Sequence, residues 1–372
     1  LKKREIKSLS TSLGRRKGIK TKGFPRAIGI ITGGGDCPGL NAAIRAVVRR
    51  ADRAGVPSFG VLDGFKGLYE GNFRPLPPIE VSGIVARGGT ILGTSRFNPL
   101  KDPKGADRIR EHLDLHSIDC LINIGGEGTM RLSHELHRHG ILCLGVPKTI
   151  DNDVWGTDFT FGFDTAVSIA TEAIDRLHTN AESHSRVMIV EVMGRHAGWI
   201  ATYAGIAGGA DAILIPEKEF YLSRLLEIIR ERERIGKRFS IIVVSEDAKI
   251  VLDQDGGKAK MLHTPMHHDE YGNLKLGGIS TLLEKTLRQH LAMEVRSTVL
   301  GYIQRGGSPT AGDRVLATRL GVAAMELALE GKTGLMVGLK GTKIVPVPFS
   351  QVVKKLKVVD PEVYRVGEVF FG

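Results

Sequence analysis

Ile141-Leu142-Cys143-Leu144-Gly145-Val146-Pro147-Lys148-Thr149-Ile150-Asp151-Asn152-Asp153 is the stretch from which the rest of the chain is read. The apolar run Ile141 to Val146 ends in Pro147 and a polar cluster, the pattern of a buried strand running into a loop. A Lys, a Thr and two Asp would then stand at the carboxyl end of a strand, the ligand-binding edge of open parallel sheets. The spacing suits a division of labour in which one Asp accepts a proton and the other faces a cation. Taken alone, Asp151-Asn152-Asp153 reads more readily as a turn. The remainder of the chain reverses that reading.

Two other segments repeat the arrangement. Ala27 to Thr32 runs into Gly33-Gly34-Gly35-Asp36-Cys37-Pro38-Gly39. The helical pattern Leu40 to Ala54 follows, with Ala43, Ile44, Val47 and Val48 on one face and Gly55 as its stop. Such a turn lets backbone N–H groups approach an anion while the helix N-terminus adds partial positive charge. It is not the dinucleotide fingerprint, because Pro38 stands where the third Gly belongs, and it lacks the Gly-Lys-Ser/Thr ending of a Walker loop. The strand Asp119 to Ile124 opens into Gly125-Gly126-Glu127-Gly128-Thr129 and a helix. A carboxylate there repels bare phosphate, so its natural partner is a cation bridging to phosphate, Mg²⁺ being the candidate. The loop Arg87 to Arg96 supplies Arg96, with Phe97 beside it, to hold a phosphate and flank a flat ring; a solvated arginine is the plain alternative.

Further on, Asp164 or Thr165 caps a helix to about Ser183, and Arg186 opens the strand Val187 to Val192, which ends in Met193-Gly194-Arg195. Phe239 to Val244 ends at Ser245-Glu246, and Arg296 to Gly301 runs into Tyr302-Ile303-Gln304-Arg305. Residues 249–275 read as an excursion loop, His267-His268 as a surface pair within it, and a basic helix as the end of the chain. Strands and helices alternate throughout, which makes the architecture α/β with largely parallel sheets.

A length of 372 residues suggests two domains. The net charge of +11 is localised: residues 1–26 hold ten Lys or Arg against Glu5, which leaves the body near +2. That body gives little reason to expect nucleic acid. The tail reads as disordered, with a remnant targeting segment or a nucleic-acid or membrane contact as alternatives. Cys37, Cys120 and Cys143 lack a Cys-x-x-Cys pair and fit small buried hydrophobes in a reducing cytosol. No run approaches the roughly 18 apolar residues of a membrane helix.

Gly33 to Asn41, Gly88 to Arg96, Gly125 to Thr129, Pro147 to Asp153, Met193 to Arg195, Glu246 and Gly301 to Gly307 together resemble the phosphofructokinase family, from about residue 27 to the end. The resemblance implies two Rossmann-like domains, 27–165 with about 305–350 for the donor and 166–304 with about 351–372 for the sugar phosphate, and an active site in the cleft between them. It implies phosphoryl transfer from ATP, with Mg²⁺, to the 1-hydroxyl of fructose 6-phosphate in a cytoplasmic homotetramer or homodimer. Asp151 would be the base, and Thr149 and Arg195 would hold the moving phosphoryl group. Asp153 and Glu127 would position Mg²⁺. Gly35, Arg96, Phe97 and Gly126 to Thr129 (Gly126, Glu127, Gly128, Thr129) would line the donor pocket. Thr149, Ile150, Asp151, Met193, Gly194, Arg195, Glu246, Tyr302, Ile303, Gln304 and Arg305 would line the sugar-phosphate site, joined by Arg186 and Arg296 of a neighbouring subunit. The chain departs from the family's pattern at Glu127, often Asp, and Tyr302, often His; regulatory arginines are matched in part by Arg45 and Arg49.

By the same resemblance, Gly128 would leave open the α-phosphate space that pyrophosphate-using members fill with Asp, which favours ATP. Lys148, typical of pyrophosphate users, favours the smaller donor. A non-catalytic sugar-phosphate-sensing subunit is the reading of another class, and it should have lost Asp151, Asp153 or Arg195; all three are present.

Overall fold

A glycine at each end defines the first helix. The computed structural model describes residues 25–252, 260–262, 267–268, 274–275 and 278–372. Gly39 and Gly55 flank the helix Leu40–Ala54 in left-handed conformations, φ 103° and 73°, and the Gly55 N–H turns back to the Ala51 and Asp52 carbonyls. A Cβ on Gly39 would stand 2.7 Å from the Phe161 ring. The helix buries Ala43, Ile44, Val47 and Val48, as its spacing predicts, and packs on the helix Ala311–Leu329. Gly321 permits that crossing, since its Cβ would lie 2.8 Å from the Ala43 carbonyl oxygen.

The chain forms two compact units. The first comprises the described residues up to Thr149, Val154–Gly162 and Gly307–Leu356. Its seven-stranded sheet runs Lys343–Pro348, Leu335–Lys340, Cys143–Pro147, Cys120–Gly125, Ile28–Thr32, Ser58–Val61, Phe73–Pro75. The five central strands are parallel and both edge strands antiparallel. After Ile28–Thr32 the chain builds towards one edge, then returns to lay Cys120–Gly125 on the other side. That reversal marks a topological switch point, and the loops after these two strands flank it. The core around Ile31, Phe65, Leu121, Met130 and Phe349 covers the sheet.

The second unit comprises Ile150–Asp153, Phe163–Gly306 and Lys357–Gly372. Its four-stranded sheet, in the order Glu294–Val299, Arg186–Val192, Ser240–Ser245, Ala212–Leu214, is wholly parallel. Strands buried on both faces read as apolar runs, which is why Val187 to Val192 and Ile241 to Val244 were legible without alternation. Val187, Ile189, Ile242, Leu225 and Leu283 share its core. Two α/β units with largely parallel sheets are thus present, as the alternation predicts.

Three expectations change. His267–His268 is a short strand paired antiparallel with Leu274–Lys275, not a loop; a two-residue ladder leaves no periodicity to read. The chain ends in two short helices, Phe349–Val352 and Pro361–Glu368, and the second is not basic. Lys354, Lys355 and Lys357 lie between them. The edge strand Phe73–Pro75 went unread because its Pro suits only an edge. Residues 1–24 of the basic tail and parts of 249–275 lie outside the described residues. Among the described residues no helix is long and apolar enough to cross a membrane. Gly39→Ala should cost about 1–3 kcal/mol, read as a lower urea midpoint. An unchanged midpoint would mean that the turn moves away from Phe161 without strain.

Candidate active site

In the first unit, missing side chains bring three strand ends together. A Cβ on Gly125 would stand 2.2 Å from Thr129 Oγ1, and one on Gly33 would stand 2.7 Å from the same atom. Thr129, nearly fully buried, therefore sits over two glycines at the ends of adjacent parallel strands. The Gly33 N–H bonds the Ile124 carbonyl and the Lys148 N–H the Gly125 carbonyl, which extends the ladder into the loops. Lys148 is 2% exposed, and its Nζ donates to the Gly35 carbonyl. A buried ammonium thus lies in the first glycine turn. Thr94 Oγ1 donates to the Gly34 carbonyl at 2.6 Å, and Thr32 Oγ1 to the Gly93 carbonyl at 2.6 Å, which ties the 87–96 loop to this turn.

Gly126 precedes the helix Glu127–Arg138, and Thr149 Oγ1 lies 4.0 Å from where its Cβ would stand. Nothing lies within 4 Å of a Cβ built on Gly128, so that position opens into space. Glu127 stands in the first turn of the helix, where a carboxylate meets the positive end of the dipole, and forms an ion pair with Arg131. Phe97 is 38% exposed and leans on the Tyr69 ring at 5.3 Å. Arg108 lies over that ring at 4.4 Å, and Tyr69 Oη donates to Asp102 at 2.7 Å. The half-exposed aromatic face is therefore fixed, whereas Arg96 is exposed.

One residue here escaped sequence reasoning as a positioning group. Asn41, fully buried, donates from Nδ2 to the Arg87 and Gly88 carbonyls and accepts from the Ile91 N–H. A buried amide within an apolar helix face was its signal.

In the second unit the strand ends carry the other candidates. Gly194 has φ 142°, and a Cβ there would meet the Ala197 carbonyl oxygen at 2.7 Å and Ser245 Oγ at 2.8 Å. Ser245 Oγ donates to the Gly194 carbonyl at 2.7 Å, and the Glu246 N–H bonds the Val192 carbonyl, so Met193–Arg195 and Glu246 are held side by side. Burial pushes the Glu246 carboxyl up to about 7, and the charge of Asp151 pushes the same way; the Gly194 N–H and Arg195 oppose them. Glu246 therefore feels the charges of both Asp151 and Arg195. Between Asp151 and Asp153, Asn152 is fully buried with φ 50°, a left-handed conformation that Asn tolerates better than most residues. The Asp153 carbonyl accepts the Lys357 N–H at 2.9 Å.

Two of the expected contacts have buried side chains. Gln304 is fully buried; its Oε1 accepts the Met193 N–H at 3.3 Å and its Nε2 donates to the Gly301 carbonyl, so it holds the Met193 backbone. The Ile150 side chain is fully buried, which leaves only its backbone to reach a substrate. Tyr302 and Ile303 are exposed and Arg305 half-buried. Arg186 opens the strand Arg186–Val192, whose far end leads to Met193; six steps at about 3.3 Å each put roughly 20 Å between the two ends of that strand. Arg296 pairs in register with Met188, also on the amino half of the sheet. Neither arginine is placed with Glu246 in this chain. Cys37, Cys120 and Cys143 are buried, and burial pushes the Cys120 thiol up to about 12, so these are packing residues.

A model described as "Phosphofructokinase" matches residues 27–328. The chain is 50% identical over 347 residues to the pyrophosphate–fructose 6-phosphate 1-phosphotransferase of Streptomyces coelicolor, covering 93% of this chain and 99% of that one. It is 49% identical over 347 residues to the ATP-dependent 6-phosphofructokinase 3 of the same organism, covering 92% and 98%. The crystal structure of the pyrophosphate-dependent phosphofructokinase of Marinobacter aquaeolei is similar with a TM-score of 0.74 at 25% identity, over 91% of this chain and 86% of that one.

The raised Glu246 pKa has a testable sign. Between the ordinary glutamate value of about 4.3 and about 7, the folded chain holds a proton that the unfolded chain has released, so this group's contribution to stability falls as pH rises through that window. Glu246→Gln should therefore raise Tm by about 2–4 °C at pH 8, with the gain shrinking towards zero near pH 4.5. An equal effect at both pH values would contradict the assignment.

Proposed function

Because the chain belongs to the phosphofructokinase family, we propose that it transfers the γ-phosphoryl group of ATP to the 1-hydroxyl of fructose 6-phosphate, giving fructose 1,6-bisphosphate and ADP. The observation that carries the phosphoryl-transfer reading is the cradle of Gly33–Gly35, Gly125–Thr129 and Lys148 at adjoining ends of parallel strands. Asp151 accepts the proton of the 1-hydroxyl as its oxygen bonds to phosphorus and the bond to the leaving diphosphate breaks. Thr149 and Arg195 hold the moving group, so positioning and charge neutralisation supply most of the rate. Met193, Glu246 and Arg305 contact the sugar phosphate. Gly35, Phe97 and Gly128 line the donor site.

Mg²⁺ binds through one or two carboxylates together with substrate phosphates and water. Among the described residues no group of three His, Cys, Asp or Glu could hold a metal by itself, and Asp153 and Glu127 are the two carboxylates that this reading assigns to the ion. Bound there, the ion would neutralise charge on the donor phosphates, with Glu127 exchanging its Arg131 partner for the cation. The roughly 20 Å separation of Arg186 from the carboxyl edge supports a role for Arg186 and Arg296 in a neighbouring copy's sugar-phosphate site, hence a homo-oligomer. Buried thiols support a cytosolic setting.

The donor is argued from the pocket, because similarly identical relatives carry names of both kinds. Open space at Gly128 supports ATP, since a donor longer than pyrophosphate needs that volume. Lys148 supports pyrophosphate as the second reading: a buried cation suits a compact, highly charged donor. Removing an obstructing charge is the harder requirement, and ATP is the reading adopted. Gly128→Asp should lower kcat/KM for Mg-ATP by at least about tenfold, roughly 1.4 kcal/mol, with little change in KM for fructose 6-phosphate; unchanged ATP kinetics would refute this account of the pocket. Asp151→Asn should lower kcat by about 10²–10⁴ in single-turnover assays while fructose 6-phosphate still binds. A variant with near-parental kcat would remove Asp151 from the role of base, whereas an inactive variant that kept all biological function would revive the sensing-subunit reading.

A further inference from the structure

Glu294 lies between two arginines that the register of the second sheet brings to one spot. Glu294 is the direct parallel partner of Arg186, and Arg296, two residues on, stands on the same face of its strand. One Glu294 carboxylate oxygen is 2.9 Å from Arg186 Nη2 and the other 2.5 Å from Arg296 Nη2. A single carboxylate therefore neutralises one of two positive charges. Arg186 is poorly satisfied otherwise. Its Nη1 has Asn180 Oδ1 at 3.4 Å, and its buried Nε has no hydrogen-bond acceptor among the described residues. A buried guanidinium donor left in this condition favours any anion that offers more oxygens than a carboxylate.

We propose that Glu294 is an internal competitor for the phosphate of fructose 6-phosphate: it occupies Arg186 and Arg296 until a phosphate monoester displaces it, and so sets how tightly that phosphate is held. This rests on the reading that these arginines receive the sugar phosphate. A phosphate monoester brings nearly two charges and three acceptor oxygens where the carboxylate brings one charge and two. Exchange leaves Glu294 beside the incoming dianion, and that repulsion weakens binding.

The test compares the full-length protein with Glu294→Gln, Glu294→Asp and Arg296→Ala, reading KM for fructose 6-phosphate at saturating Mg-donor. Glu294→Gln should lower KM about two- to fivefold, the scale of a partly exposed ion pair, with kcat moving less than KM. Glu294→Asp, which keeps the charge, should stay nearer the parent. Arg296→Ala should raise KM at least about tenfold, in line with loss of a charged phosphate contact. If Arg296→Ala raises KM while Glu294→Gln leaves it unchanged or raises it, the competitor role fails and the arginine reading stands. If Arg296→Ala leaves KM unchanged, the arginine reading fails and the competitor role with it.

Discussion

The first unit depends on a single steric constraint: no side chain can exist where Thr129 crosses Gly125 and Gly33. A Cβ at either position would fall 2.2 Å or 2.7 Å from the threonine hydroxyl, far inside any permitted contact. Because both glycines end adjacent parallel strands, the same constraint brings two helix-starting loops against each other at the topological switch point. The Lys148 ammonium is delivered into that corner by the next strand, through the Gly125–Lys148 backbone bond. The corner thus offers backbone N–H groups, helix ends and one buried cation, the parts that the proposed phosphate cradle uses.

The second unit uses the opposite device. Its parallel strand ends hold charged groups near one another, and Gly194 is the residue that allows it, bent to φ 142° against Ser245. Burial then makes the Glu246 charge costly, and Asp151 adds to that cost. Under the proposed reaction, a substrate hydroxyl donating to Glu246 would offset part of that cost. Glu191 shows the same economy in a structural role. Fully buried two residues before Met193, its carboxylate accepts the Gly278 and Ser280 N–H groups and the Ser280 hydroxyl, fixing the start of the helix Ile279–Leu287.

Much of this was legible in sequence, for local reasons. Strand, glycine turn and helix are contiguous in Ala27 to Ala54, so pattern and stop signal identified the element before its partners were known. The loops at Gly125 and Lys148 were legible in the same way, and their convergence followed from the parallel α/β rhythm. What was not legible depends on register and on distant partners. Gln304 reads as a ligand contact in sequence, yet its amide is held by the Met193 and Gly301 backbone. Glu191 reads as one acid in an apolar strand, and its partners lie 87 and 89 residues away. The Glu294 pairing with Arg186 exists only once strand register is fixed. His267–His268 failed for a different reason, being too short to carry any period.

The most direct measurement sets the two donors against each other: initial rates of fructose 1,6-bisphosphate formation from fructose 6-phosphate with Mg-ATP and with Mg-pyrophosphate at equal concentration. The open position at Gly128 predicts faster turnover with Mg-ATP. Faster turnover with Mg-pyrophosphate would contradict the account of the donor site and make Lys148 the residue that decides it, while formation of the bisphosphate from neither donor would overturn the assignment of the reaction itself.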